Sequence, residues 1–223
     1  MTQIISTIQS KGGASKSTLL QIIGASMAQD GAKVLVIDTD PQASCVQWAS
    51  EQDIPNLDVL PHLDEDKLLD IIDKVRGSYD AILIDTAGFD SRMAGYVVQY
   101  SDLILIPSGG SKFSVKGCAK AYMHADVSTR NLKNPPVIRA VIWNVNKRTE
   151  VYKHAKETIT EAGIPTLSYH VGHLVGFEAM SWNGGLPTGV AGMARREFMA
   201  SLQLEGLIEF YNKQQGAADG KAA

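Results

Sequence analysis

Cysteine is scarce: Cys45 and Cys118 are the two in 223 residues, with no metal-site spacing and no disulfide framework. Buried or idle thiols are expected. No apolar run approaches the ~18 residues of a bilayer span. The N-terminal stretch MTQIISTIQS lacks a basic start, a long apolar segment and a small-residue cleavage site, so no secretory signal is expected there. Excess charge is also missing. The 21 Lys+Arg and 24 Asp+Glu leave a formal charge of −3, which argues against a dedicated nucleic-acid binder. Internal repeats, linkers and composition breaks are absent. One cytoplasmic domain over 1–212 is expected, followed by a small, polar, disordered tail over 213–223.

What is present is apolar content of 44%, enough in a chain of this length for a substantial core. The charge is unevenly spread. Residues 1–110 hold 7 Lys+Arg against 15 Asp+Glu, and residues 111–223 hold 14 against 9. The second half is therefore basic, either as a phosphate-facing surface or as a solvated face.

Short apolar runs alternate with amphipathic stretches, the pattern of a doubly wound α/β fold with a mostly parallel sheet and helices on both faces. Strands are expected at 4–9, 33–38, 57–61, 80–85, 103–107 and 137–144, with a weaker one at 166–170. They are rich in Val, Ile and Leu, as strands buried on both faces are. Helices are expected at 16–29, 65–76, 91–101, 112–126, 150–162 and about 192–212, with Gly31 and Gly163 as C-caps.

Between the first strand and first helix lies QSKGGASKST (9–18). Against the phosphate-loop pattern G-x-x-x-x-G-K-[ST], Lys16 and Ser17 match, while Ser10 and Ser15 replace both glycines. The flanks are those a phosphate loop needs. Gly12 and Gly13 permit close backbone approach to an anion, and the amides around Ala14, Ser15 and Thr18 sit at a helix N-terminus whose dipole favours negative charge. Lys16 is placed to reach the β- and γ-phosphates, and the Ser17 hydroxyl to ligate Mg²⁺.

The extra lysine, Lys11, changes the reading. KGG-x-x-K-[ST] resembles the deviant Walker A motif of the ParA/MinD ATPases, in which the position of Ser10 is not glycine. Ser15 still departs from that family's preferred glycine. In the resemblance, Lys11 crosses a dimer interface to the partner's nucleotide, much as an arginine finger acts in trans. Nucleotide binding is expected to survive the Ser15 departure, with slower turnover.

The string D-T-D-P-Q (38–42) ends the second strand. Asp38 and Asp40 are two apart, so they point to opposite sides or diverge around the strand end. The resemblance assigns Asp40 to positioning the attacking water and Asp38 to the magnesium shell. YDAILIDTAG (79–88) resembles Walker B, with Asp85 holding Mg²⁺ through a water; the family's proline after that motif is missing. SDLILIPSGGSKFSVKG (101–117) resembles the family's switch strand, and Gly109 to Ser111 are expected to respond to the nucleotide. Asn144, or else Asn146, matches the family's adenine-reading asparagine.

The resemblance, to short ParA partition proteins, covers nearly the whole chain. It implies an ATPase that dimerises on ATP, binds non-specific DNA at the nucleoid, and is released when a ParB-like partner stimulates hydrolysis. DNA contacts are expected from Arg195 and Arg196, less so from Lys112, Lys116, Lys147 and Arg148, each of which has a bland alternative as a solvated charge. Positioning of a protein cargo and a scaffold with little hydrolysis remain alternatives. A membrane-bound relative would need an apolar face that GAADGKAA does not offer. An iron–sulfur relative would need bridging cysteines that Cys45 and Cys118 do not supply. His170 and His173 make too sparse a set for a metal. Trp182 is expected to pack or, if exposed, to serve a partner surface.

Overall fold

Runs of Val, Ile and Leu bounded by Gly, Pro and Asp form six parallel strands in a single sheet. They are β1 (Gln3–Thr7), β2 (Val34–Asp38), β3 (Leu57–Pro61), β4 (Ala81–Asp85), β5 (Leu103–Ser108) and β6 (Val137–Ile142). Residues 1–9, 13–62, 64, 66–87 and 92–209 are described by the computed structural model. The strand order is β3-β2-β4-β1-β5-β6. The winding thus reverses about the centre, which opens a crevice at the carboxyl ends of the strands. Asp38 lies level with Asp85 in the β2–β4 register, and Thr7 pairs with Asp85 in β1–β4.

Successive side chains on a strand face opposite ways, and here both faces are covered. Ile5, Val36, Leu83 and Leu105 point to one core with Leu19, Trp48, Trp143 and Phe198. Ile4, Leu35, Ile37, Ile82 and Ile84 point to the other face, against Leu68, Ile72 and Val97. Ile8, Ile104, Ile106 and Ile142 continue that second face over Val115, Cys118 and Ile159. Strict alternation of hydrophobicity is absent from β2, β4 and β5, which are buried throughout, whereas the edge strand β3 leaves Asp58 and Leu60 exposed.

The helices of the described residues are α1 (Lys16–Gln29), α2 (Ser44–Glu51), α3 (Leu68–Val75), α4 (Arg92–Tyr100), α5 (Lys112–Thr129), α6 (Glu150–Glu161), α7 (Val175–Asn183) and α8 (Gly189–Leu204). Gly31 and Gly163 take positive φ just past α1 and α6, as C-cap glycines do. The strand expected at 166–170 does not form. Leu167 N–H donates to Ala140 and Val171 N–H to Ile142, so four residues of chain span two of β6 and the ladder reduces to isolated bridges. Within the detour, the Ser168 amide donates to the Glu205 carboxylate instead. The last helix begins at Gly189 and ends at Leu204 rather than running 192–212; Gly206 at φ 67° turns the chain. Helices α2 and α7 have no counterpart in the sequence reading. Their apolar signal is thin: α2 buries Cys45 and Trp48, and α7 buries Phe177 and Met180.

Candidate functional site

β1 delivers the chain to the phosphate turn at the crevice. Gly13 has φ 69° and Ser15 φ 67°, so two left-handed residues wrap the backbone before α1 starts at Lys16. Ser15 therefore adopts the glycine-like conformation instead of extending the helix. Lys11, Gly12 and Ser10 lie outside the described residues. A cavity of about 640 Å³ opens here, lined by the whole run Gly13, Ala14, Ser15, Lys16, Ser17 and Thr18. Its opposite wall comes from Asp40 and Gln42 after β2, from Gln47 and Trp48 of α2, and from Ser181 of α7. Lys16 is buried at the floor.

Three carboxylates were expected at this edge, and the structure separates their environments. Asp85 is fully buried at the end of β4, and its Oδ1 has no hydrogen-bond partner. Burial pushes its carboxyl up to about 6, opposed by the Ser17 hydroxyl and the Lys16 ammonium and reinforced by the Asp38 charge. An orphaned buried oxygen beside a hydroxyl is a hard-donor set suited to Mg²⁺. Asp38 is equally buried, but its oxygens are engaged. Oδ2 accepts from the amides of Cys45 (2.8 Å) and Val46 (3.2 Å), and Oδ1 accepts from the Asp40 amide (3.1 Å). The Asp38 carboxylate thus caps the N-terminus of α2, a function the sequence reading missed. Asp40 faces the cavity with its Oδ1 held by the Gln42 amide at 2.9 Å.

Cys45 also belongs to this cluster. Its Sγ lies 3.4 Å from Asp85 Oδ2, and ligand atoms of Asp38, Cys45 and Asp85 all fall within 4.8 Å of one another. Burial and both neighbouring carboxylates hold the thiol well above its ordinary range, so it stays protonated and donates. Cys118 is buried elsewhere, on the inner face of α5.

The turn after β5 is tied down by side chains. Gly109 N–H donates to Ser114 Oγ at 2.7 Å, and Ser111 caps α5. Asn144 stands at the end of β6, outside the lining of the phosphate cavity, exposed and at φ 57°. His170 and His173 serve different neighbours: His170 Nδ1 pairs with the Tyr152 hydroxyl at 2.8 Å, and His173 Nδ1 with Asn144 Oδ1 at 2.6 Å. Trp182 is 82% exposed, directly after the cavity-lining Ser181.

The DNA candidates diverge. Arg195 donates to Ser26 Oγ (3.2 Å) and Gln29 Oε1 (3.0 Å), which clamps α8 to the end of α1. Arg195, partly buried, thus has a structural role beside the DNA contact expected of it. Arg196 is exposed beside it, as are Lys112 and Lys116 on α5. The Lys147 ammonium sits 4.9 Å over the Tyr169 ring.

Residues 5–180 match the model of the CobQ/CobB/MinD/ParA nucleotide binding domain. Protein ParA of Rhizobium radiobacter is 31% identical over 105 residues, 47% of this chain and 47% of that protein. The match therefore spans about half of that relative's length. Maintenance of carboxysome distribution protein A of Gloeobacter kilaueensis is 25% identical over 82% of this chain and 86% of that one. The pNOB8 ParA bound to nonspecific DNA superposes with a TM-score of 0.61 at 17% identity, over 92% of this chain and all of that one. With a family model matched over most of its length, and with a phosphate turn at the carboxyl edge of a parallel sheet, the chain belongs to the CobQ/CobB/MinD/ParA nucleotide-binding family, on its ParA/MinD side.

Proposed function

We propose that the protein is a Mg²⁺-dependent ATPase of DNA partition that dimerises on ATP, binds non-specific DNA in that state, and is released by hydrolysis that a ParB-like partner stimulates. The observation that carries the reading is the cavity lined by Gly13–Thr18 and Asp40, with the buried Asp85 carboxylate, one oxygen unpaired, interacting with the cavity-lining Lys16 and Ser17 from behind. The amides from Gly13 to Thr18 and the Lys16 ammonium bind and orient the triphosphate. Ser17 and Asp85 would hold Mg²⁺, with Asp38 fixing the α2 end of the same cluster. When bound, the ion neutralises charge on the phosphate oxygens. Asp40 orients the attacking water from the opposite wall. Lys11 supplies its amine to the partner subunit's nucleotide, so a monomer turns over slowly. Exposed Trp182, next to the cavity, supports a subunit covering that rim.

Non-specific DNA binding is chiefly counterion release from phosphates, which requires exposed cations rather than a base-reading helix. Arg195 and Arg196 are the first candidates for such contacts, with the exposed Lys112, Lys116, Lys147 and Arg148 behind them. The name of the carboxysome-distribution relative favours a second reading, an ATPase that positions a protein cargo, with the same chemistry at the site.

The test is a random-sequence DNA shift with ATP, with ADP, and with ATP plus chelator, run beside ATP hydrolysis. Binding is expected with ATP alone, weakening steeply as salt rises. ATP hydrolysis without any ATP-dependent shift would remove the DNA role and leave the cargo reading.

A further inference from the structure

A polar relay at the end of β6 has no part in the chemistry at the phosphates. Asn144 Oδ1 and His173 Nδ1 are 2.6 Å apart, and Glu178 Oε1 lies 3.9 Å from the same ring nitrogen. The relay is anchored by backbone. His173 N–H donates to the Val145 carbonyl at 3.0 Å, and Val145 pairs with Gly172 in a parallel bridge. The 171–173 segment is thus bonded to the chain on either side of Asn144, and the two side chains meet without a mobile loop between them. Asn144 holds a left-handed φ of 57°, which turns its side chain out at the sheet's carboxyl edge. Two inter-strand steps of about 4.8 Å separate β6 from β1, so the amide stands roughly 10 Å along the edge from the phosphate turn.

We infer that His173, steadied by Glu178, is a specificity-determining residue that fixes which way the Asn144 amide faces, and so makes the site select adenine over guanine nucleotides. The inference rests on the reading of Asn144 as the base contact. A free asparagine amide interchanges its oxygen and nitrogen by a half-turn about its last bond. It then offers acceptor-then-donor or donor-then-acceptor at equal cost. A proton on His173 Nδ1 breaks that symmetry, because it bonds only to the oxygen. With Oδ1 facing Nδ1 at 2.6 Å, that proton is the one that joins them, and Glu178 Oε1 lies 3.9 Å from the same nitrogen. With one lone pair occupied, Oδ1 keeps the second for a donor on the base, and Nδ2 keeps its N–H groups for an acceptor. Adenine presents this donor–acceptor pair on an edge where guanine presents acceptors only. The flipped amide would discriminate less.

The test measures dissociation constants for ribose-labelled ATP and GTP on the full chain and on three variants: His173→Ala, His173→Asn and Asn144→Ala. The expected result is an ATP-over-GTP preference that falls about tenfold in His173→Ala. His173→Asn, whose amide N–H can occupy the place of Nδ1–H, should restore most of it. A merely structural role for His173 would weaken both nucleotides together and leave their ratio unchanged, and that outcome overturns the inference. A full preference in His173→Ala alongside a lost one in Asn144→Ala overturns it as well, while leaving the base contact standing. A full preference in Asn144→Ala, or none in the wild type, removes the base contact and the inference with it.

Discussion

At the scale of single residues, Ser15 and Asp85 carry the energetic tension of the site. Ser15 sits at φ 67°, a conformation costing a side-chain-bearing residue about 1 kcal/mol. Replacement by glycine relieves that cost but adds about 0.5–1 kcal/mol of unfolded-chain entropy. The two nearly cancel, so Ser15→Gly should leave the urea midpoint almost unmoved while ATP turnover rises. A variant that hydrolyses no faster than wild type would show that Ser15 does not limit the reaction. Ser15→Val, branched at Cβ, should destabilise by about 1 kcal/mol or more through strain alone. Asp85 gives the opposite sign from an ordinary salt-bridged carboxylate. Its folded-state pKa of about 6 exceeds the unfolded value of 3.8, so the folded chain holds the extra proton between them. Stability from this group is therefore complete below about pH 4 and is lost as pH rises through 6, on the order of 3 kcal/mol in all. Asp85→Asn should consequently raise nucleotide-free stability at pH 7.5, seen by denaturant unfolding, while abolishing Mg²⁺-dependent hydrolysis. A less stable Asn variant would mean the carboxylate is compensated in the folded state.

At the scale of elements, the cavity wall depends on how α2, α7 and α8 lock together. Trp48 of α2 donates its indole N–H to the Gly185 carbonyl at 3.1 Å, just after α7. A Cβ on Gly176 of α7 would meet the Ala191 Cβ of α8 at 2.6 Å, closer than real carbons approach. Gly176→Ala should therefore cost roughly 1–3 kcal/mol by overpacking, and Ala191→Gly in the same chain should return much of it. Thermal melting of the single and double variants reads this directly. Additive losses would show that the two positions do not share one contact. Because Ser181 and Trp182 ride on α7, the single variant should also weaken nucleotide binding, whereas the double variant should not.

At the scale of the whole molecule, the proposed cycle ties catalysis to assembly through Lys11. Lys11→Ala should keep much of the ATP affinity while losing hydrolysis and, with it, partner-stimulated release from DNA. Mixing it with Lys16→Ala subunits supplies a check: if the amine acts across the interface, mixed dimers should recover a fraction of the activity. Unchanged turnover in Lys11→Ala alone refutes the trans role. Charge reversal of Arg196 with Lys112 and Lys116 should lower DNA affinity and flatten its salt dependence, since fewer counterions are released. Arg195→Ala should cost stability as well, through the lost clamp on Ser26 and Gln29.

Much of this protein was legible in its linear order. Strand runs such as AILID and LILIP are apolar throughout because both faces are buried, and that pattern needs no tertiary knowledge to read. The spacing of Gly13, Lys16 and Ser17 likewise announces an anion-binding turn, since local backbone and helix-end amides create the site. Only the tertiary structure decided what depends on distant partners. Asp38 caps α2 through a carboxylate six residues before the helix begins, and Arg195 hydrogen-bonds α1, 166 residues away in sequence at Gln29. The segment 166–170 has strand-forming residues yet leaves the ladder, because the available neighbour is β6 and the chain crosses it with too many residues for its register. Periodicity and motif spacing are local quantities. Which charge is free, which carboxylate is orphaned and which histidine meets which asparagine are set by where separate elements come to rest.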